Sequence, residues 1–402
     1  MRRTEWPNCD NAAALAQPAG PAPMMTTSVF KKLPIAAAHC YSAILPVLNG
    51  RHIMSNPEAF CREALPEVSR TFALNIPVLP EPLDLVVTVG YLLCRIVDTI
   101  EDEATCSATL RAQLLSEFAR LVELPKGWRE EVPRFTAQVG QWLRETVPEP
   151  EARLVHRTGT VLEAFAALPD WTQPPMARCV RAMADGMADV SRELALAPPA
   201  SGLRDLEATL TYCYYVAGTV GEMLTELFIG FAPRLANQAN ELRALSPAFG
   251  RALQLINILK DIREDLERGY CWLPRTVMAA HGLTARTLLY PENRGRAVAM
   301  LNELVAVARR EADISLEYAL RLPVDEPGLR LFCLWPLFFA VLALSRLENN
   351  PAVFEPQPVK ISRASVREIM LLTQQNVTSD TVLRALYMQC LSGTLQPESL
   401  TP

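Results

Sequence analysis

From Pro57 onward, apolar residues recur every three or four positions in long runs broken by Pro and Gly, which is the spacing of amphipathic helices. The pattern predicts helices over 57–65, 67–76, 82–103, 108–124, 130–146, 150–167, 174–196, 203–231, 237–268, 293–321, 328–349, 365–375 and 379–392. Strand-like alternation between turn signals is missing, so the expectation is an all-α fold and not βαβ units. Residues 1–53 hold Ala, Pro, Asn and Thr without a sustained period and are expected to be disordered or loosely packed. Residues 54–395 are expected to form one all-α domain, followed by a polar tail over 396–402. Asn56-Pro57-Glu58 has the composition of a helix start, and Met24, Met25 and Met54 are candidate initiators.

The most apolar run, LFCLWPLFFAVLAL over 331–344, is 14 residues long and contains Pro336. Crossing a bilayer core of about 30 Å takes about 20 helical residues, so this run reads as a buried core helix. Arg2 and Arg3 are followed by Glu5 and Pro7 instead of an apolar core, which is not the pattern of a secretory signal. With 402 residues, 50% hydrophobic, the chain can bury a large core. A net charge of −5, with no basic run longer than two, argues against nucleic acid as a partner. The ten cysteines form no C-x-x-C pair and several lie in apolar runs, as reduced core residues of a cytoplasmic protein would. The four histidines lie far apart and suggest no zinc site.

Two acidic stretches carry the candidate chemistry. YLLCRIVDTIEDE over 91–103 and LQLINILKDIREDLERGYCWLP over 253–274 each hold D-x-x-E-D, about 160 residues apart. On a helix, Asp98, Glu101 and Asp102 share one face, as do Asp261, Glu264 and Asp265. Like charges at this spacing cost a helix about 0.2–0.5 kcal/mol, and each triplet follows an apolar run whose burial raises the cost of unpaired carboxylates. A cation is therefore expected between them. The natural candidate is Mg²⁺, which takes one or two carboxylates and completes its shell with water and phosphate oxygens. A single triplet would read as a solvated face bridged by Arg95 or Lys260, but the repeated spacing favours the metal.

Ahead of the first motif, EVSRTFALNI offers Ser69 and Arg70 close to Phe72, a hydroxyl and a guanidinium suited to phosphate. Arg70 reads equally well as a surface arginine. Arg95 precedes Asp98 by three positions on the same face. In LTYCYYVAGTVGEMLTELF, Tyr212 and Tyr215 lie near Gly218 and Gly221. Each glycine weakens a helix by about 1 kcal/mol relative to alanine, so both are expected to permit close approach of a ligand or a neighbouring helix.

Taken in order and spacing, SRTF, YLLCRIVDTIEDE, DGMADVSREL, YCYYVAGTVGEML and LQLINILKDIREDLERGYCWLP resemble the squalene and phytoene synthases. The stretch LFCLWPLFFAVLALSRLENNPAVFEPQPVKISR is similar to the C-terminal region of the squalene synthases. The resemblance implies a helical isoprenoid-synthase bundle around a central apolar cavity with two facing acidic motifs. It also implies head-to-head condensation of two farnesyl diphosphates to presqualene diphosphate, then NADPH-dependent reduction to squalene, as in steroid or hopanoid biosynthesis.

By the same resemblance Asp98 and Asp102, assisted by Glu101, would hold Mg²⁺ on one diphosphate, and Asp261, Glu264 and Asp265 would do so on the other. Ser69, Arg70, Arg95, Gln254, Asn257 and Lys260 match diphosphate-contacting positions, and Tyr212 matches a tyrosine that assists proton removal or steers the carbocation. Lys260 stands where the animal-type enzymes have arginine. Lys360 and Arg363, in VKISRAS, match NADPH phosphate contacts less closely, and no G-x-G-x-x-G follows a strand. Phe72, Leu92, Val216, Leu224, Phe332 and Phe338 are candidate cavity lining. The C-terminal membrane helix of eukaryotic relatives is not seen, so the expectation is a cytoplasmic monomer touching the inner membrane face peripherally to release its product. The alternatives are a phytoene, dehydrosqualene or presqualene diphosphate synthase without reduction, a head-to-tail prenyltransferase or terpene cyclase, and a non-catalytic helical partner protein. Thr99 and Ile262 follow the leading aspartates where the head-to-tail enzymes usually carry a second Asp.

Overall fold

A computed structural model describes residues 56–103, 106–143, 147–197 and 200–395, with Arg70 described by its backbone alone. The N-terminal segment 1–53 and the tail 396–402, set apart on sequence, lie outside the described residues. Among the latter the only extended pairing is an isolated bridge between Leu203 and Pro274.

The first half contains α1 (Pro57–Val68), α2 (Arg70–Asn75), α3 (Leu83–Glu101), α4 (Ala108–Val122), α5 (Trp128–Gly140), α6 (Glu149–His156), α7 (Thr158–Ala166) and α8 (Gln173–Leu196). The second half contains α9 (Leu206–Cys213), a π-helical turn (Tyr214–Gly218), α10 (Thr219–Phe231), α11 (Ala239–Lys260), α12 (Ile262–Glu267), α13 (Arg275–Ala280), α14 (Arg294–Arg321), α15 (Pro327–Leu347), α16 (Arg363–Gln375) and α17 (Asp380–Leu391). Side-chain caps start many of them. Asn56 accepts from the Glu58 amide at 3.1 Å, Ser107 from Leu110 at 3.2 Å and Asp205 from Ala208 at 2.9 Å, each satisfying a donor that the first helical turn leaves open.

The all-α expectation holds, with local differences. The run expected over 237–268 breaks at Asp261 (φ −103°, ψ 15°), which separates α11 from α12. The run over 203–231 is interrupted by the π turn, and the run over 150–167 divides at Arg157. Periodicity does not register such breaks, because a one-residue departure hardly changes which face is apolar. α13 was not expected at all; its six residues are too short to show a period.

One continuous apolar cluster joins the elements from Phe60 to Leu395. α3 packs against α1, α4, α6, α7 and α8, while α11 packs against α9, α10, α14, α15 and the π turn. The glycines permit the tightest of these contacts. A Cβ on Gly221 would lie 2.2 Å from the Ser246 carbonyl oxygen, and one on Gly250 would lie 1.9 Å from that of Ala217. The close approach expected at Gly218 and Gly221 is therefore to a neighbouring helix, α11. α15, apolar all round, is long and apolar enough to cross a bilayer, but 89% of that stretch is buried within the protein. The eight cysteines among the described residues are free and buried, as expected.

Candidate active site

The first motif closes α3. Asp98 is 1% exposed and Glu101 7%, and the Asp102 amide donates to the Asp98 carbonyl at 2.9 Å. Arg95, also 1% exposed, donates from Nη2 to Glu151 Oε1 at 2.8 Å, with Nη1 3.8 Å from Asp98 Oδ2. Glu151 belongs to α6 and was not anticipated from sequence. This ion pair ties the first motif to a second helix and balances a charge that could not be buried alone.

The second motif spans the break between α11 and α12. The Asp265 amide donates to the Asp261 carbonyl at 2.9 Å, so the helical turn continues through the break and keeps the carboxylates on one side. Lys260 Nζ donates to Asp261 Oδ2 at 2.9 Å, and Arg268 pairs with Glu264. Asp265 is buried, and its Oδ1 has no hydrogen-bond partner. Burial first, then the charges of Asp261, Glu264 and Asp102, push its carboxyl well above the usual carboxylate range, while Arg268 pulls it back. Asp102 belongs to the other motif. The two acidic clusters therefore lie within Coulombic range of one another inside the protein.

Aromatic rings join the two motifs. The Tyr270 amide donates to the Asp265 carbonyl at 2.9 Å, and the Tyr270 ring stacks over Trp272 with centroids 5.8 Å apart. Tyr212, from α9, stacks on the same Trp272, whose carbonyl accepts from Thr209 Oγ1 at 3.2 Å. The Tyr212 phenol is raised well above its ordinary range by burial, then by Glu101, Asp102 and Asp98. The Tyr270 phenol is pushed up to about 12 by burial and by Glu101. Both phenols feel the charges of Glu101 and Asp102, and both rings stack on Trp272, which follows the second motif.

A narrow apolar cleft with about 20 Å³ of free volume adjoins the second motif, lined by Thr71, Phe72, Leu253, Ile256, Asn257, Lys260, Pro336, Ala340 and Ala343. Polar groups stand at Thr71, Asn257 and Lys260, and the remainder is hydrocarbon. Of the lining expected from sequence only Phe72 is found here. Leu92, Val216, Leu224, Phe332 and Phe338 are buried and do not line this cleft, because composition marks a residue as apolar without marking which side of its helix meets it. The signal that could have found the lining is the spacing of Pro336, Ala340 and Ala343, a small-residue stripe along one face of α15.

The remaining candidates are placed as follows. Ser69 is buried and caps α2, its Oγ accepting from the Phe72 amide at 3.1 Å. Arg70 opens α2, and its side chain lies outside the described atoms. Gln254 is buried one turn before Asn257, and its Oε1 has no hydrogen-bond partner. Lys360 and Arg363 are exposed at the start of α16, and among the described residues neither has an ion-pair partner. They are beyond the stretch Pro351–Phe354, which packs on α12 through the bond from Arg263 Nη1 to the Phe354 carbonyl, 2.9 Å.

The donor set fits a hard divalent cation. Buried carboxylates from two motifs repel one another at Asp265, whose orphaned oxygen is available as a ligand. Among the described residues no group of three or more Asp, Glu, His or Cys side chains is placed to hold a metal ion by itself. Mg²⁺ does not need such a group, since it draws most of its shell from water and phosphate. For a phosphorylated cofactor the fit rests on Lys360, ahead of α16, and Arg363, its first residue.

The model of the squalene/phytoene synthase family matches residues 65–365. The chain is 29% identical over 315 residues to a protein of Schizosaccharomyces pombe named squalene synthase, covering 77% of this chain and 64% of that protein. It is 31% identical over 323 residues to a probable squalene synthase of Neurospora crassa, covering 80% and 63% respectively. The match thus spans less than two thirds of the length of either relative. A solved complex of TcSQS with the ligand E5700 superposes with a TM-score of 0.68 at 26% identity, covering 86% of this chain and 93% of that one. With its helical fold and its two acidic motifs lying inside the matched region, the chain belongs to the squalene/phytoene synthase family.

Proposed function

We propose that the protein joins two farnesyl diphosphates head to head to give presqualene diphosphate, and reduces that product to squalene with NADPH. The observation that carries this reading is the electrostatic meeting of the two motifs at Asp265, beside an apolar cleft. The names of the curated relatives point the same way.

Bound Mg²⁺ would neutralise the diphosphates and stabilise charge developing on the leaving group. Asp98 and Asp102, with Glu101, would hold the metal at one diphosphate, and Asp261 and Asp265, with Glu264, at the other. Asn257 and Lys260 stand where the cleft meets the second motif and orient the diphosphate there, with Gln254 one turn behind. Ser69, Arg70 and Arg95 serve the first side, Arg95 being set in place by Glu151. The apolar wall keeps water from the prenyl tail and from cationic intermediates. Tyr212, whose raised phenol keeps its proton at neutral pH, offers them an electron-rich face backed by Trp272. Bound NADPH would supply the hydride by which presqualene diphosphate, losing diphosphate, would be converted to squalene, leaving NADP⁺. Lys360 and Arg363 would hold the cofactor phosphate. The working form is a monomer in the cytoplasm that meets the inner membrane face peripherally.

The test is to incubate purified protein with farnesyl diphosphate and Mg²⁺, with and without NADPH, and to analyse the lipid. Squalene is expected with NADPH. No C30 product in either arm would sink the reading, and presqualene diphosphate or dehydrosqualene despite NADPH would remove its reductive half.

A further inference from the structure

We propose that Arg268 is a built-in counter-cation of the second acidic motif, one that yields its carboxylates to Mg²⁺ and then takes an oxygen of the bound diphosphate. The proposal deepens the functional reading above and rests on it. Arg268 follows α12 with its side chain only 9% exposed. It pairs with Glu264, and its Nη1 stops 4.0 Å from Asp265 Oδ1, beyond hydrogen-bond reach. Both of these atoms are buried without a hydrogen-bond partner. Opposite charges held at this distance in a desolvated place, with these two atoms short of a bond, make a costly arrangement that added ligands would relieve.

The contrast with the first motif gives the arrangement its meaning. There the arginine, Arg95, is bonded to Glu151, a carboxylate outside both motifs, so moving it would strand a buried charge. Arg268 is held by the motif's own Glu264, a group that a metal would itself occupy. The carboxylates Asp261, Glu264 and Asp265 face two cations of their own, Lys260 and Arg268. Mg²⁺ entering alone is opposed by the guanidinium. Mg²⁺ arriving with a diphosphate gives that guanidinium a new anionic partner, of the kind its fork suits. Arg268 therefore couples metal binding to diphosphate binding, and removing its charge moves the two affinities in opposite directions.

The experiment is calorimetric titration of the full chain with Mg²⁺ alone and with inorganic pyrophosphate at fixed Mg²⁺, comparing wild type, R268Q and R268K. R268Q is expected to bind Mg²⁺ alone about threefold more tightly and pyrophosphate about tenfold more weakly, the latter being the loss of one charge-assisted bond. R268K, which keeps the charge, is expected to keep the wild-type Mg²⁺ affinity. Should R268Q not fold, R268M is the second neutral variant and carries the same expectation. Unchanged affinities in the neutral variant, or a parallel fall in both together with a lower melting temperature, would overturn the proposal and leave the functional reading standing. A wild-type chain that binds no pyrophosphate with Mg²⁺ would overturn both.

Discussion

The Tyr212 ring lies flat on Trp272, with centroids 4.3 Å apart and planes 3° from parallel. These residues come from α9 and from the segment after α12, and their stack fixes the phenol against the charges of the first motif. Tyr212→Phe keeps the stack and is expected to melt within about 2 °C of wild type, with turnover lowered about tenfold or more. Trp272→Ala removes the support and is expected to cost about 3 kcal/mol. Thermal melting set beside product formation separates the two, because only the tryptophan variant should lose stability.

Asp265 is buried among like charges, with Asp261, Glu264 and Asp102 all raising its carboxyl. Asp265→Asn keeps the shape and removes the repulsion, so the metal-free protein is expected to melt about 1–2 °C higher. The same change removes a ligand, so added Mg²⁺ and pyrophosphate should stabilise the variant much less than wild type. Melting curves with and without the two ligands check both signs.

Gly250 meets backbone, the Ala217 carbonyl oxygen lying 1.9 Å from an added Cβ, whereas Gly295 in the first turn of α14 has nothing within 4 Å. Gly250→Ala must push α11 away from the π turn, at a cost of about 3 kcal/mol or more. Gly295→Ala restricts the unfolded chain without a clash and is expected to gain up to about 1 kcal/mol. Chemical denaturation of the two variants gives the comparison.

Ala343 lines the apolar cleft together with Ala340 and Pro336. Ala343→Phe fills that space and is expected to lower kcat/KM for farnesyl diphosphate about tenfold or more, while leaving inorganic pyrophosphate binding with Mg²⁺ near wild type. Equal losses in both measurements would show that the substitution disturbs the motif and not only the cleft.

Helix class, the two D-x-x-E-D triplets and the buried character of α15 are all legible in the chain, because each rests on residues a few positions apart. A period of 3.6 makes faces, and faces can be counted along a sequence. The local placement of Asp98 and Glu101 at the end of α3 was available in this way. The helix break at Asp261 and the division at Arg157 were not, since neither alters the apolar stripe.

Two acidic faces and a wholly apolar helix follow from the order of residues along the chain. That Asp102 acts on Asp265, that Glu151 balances Arg95, and that the cleft runs between Phe72, Ile256 and Ala340 follow from how the helices pack. The physical reason is that burial, Coulomb energy and shape depend on distances between segments, and the packing of one helix against another sets those distances, not the spacing within either.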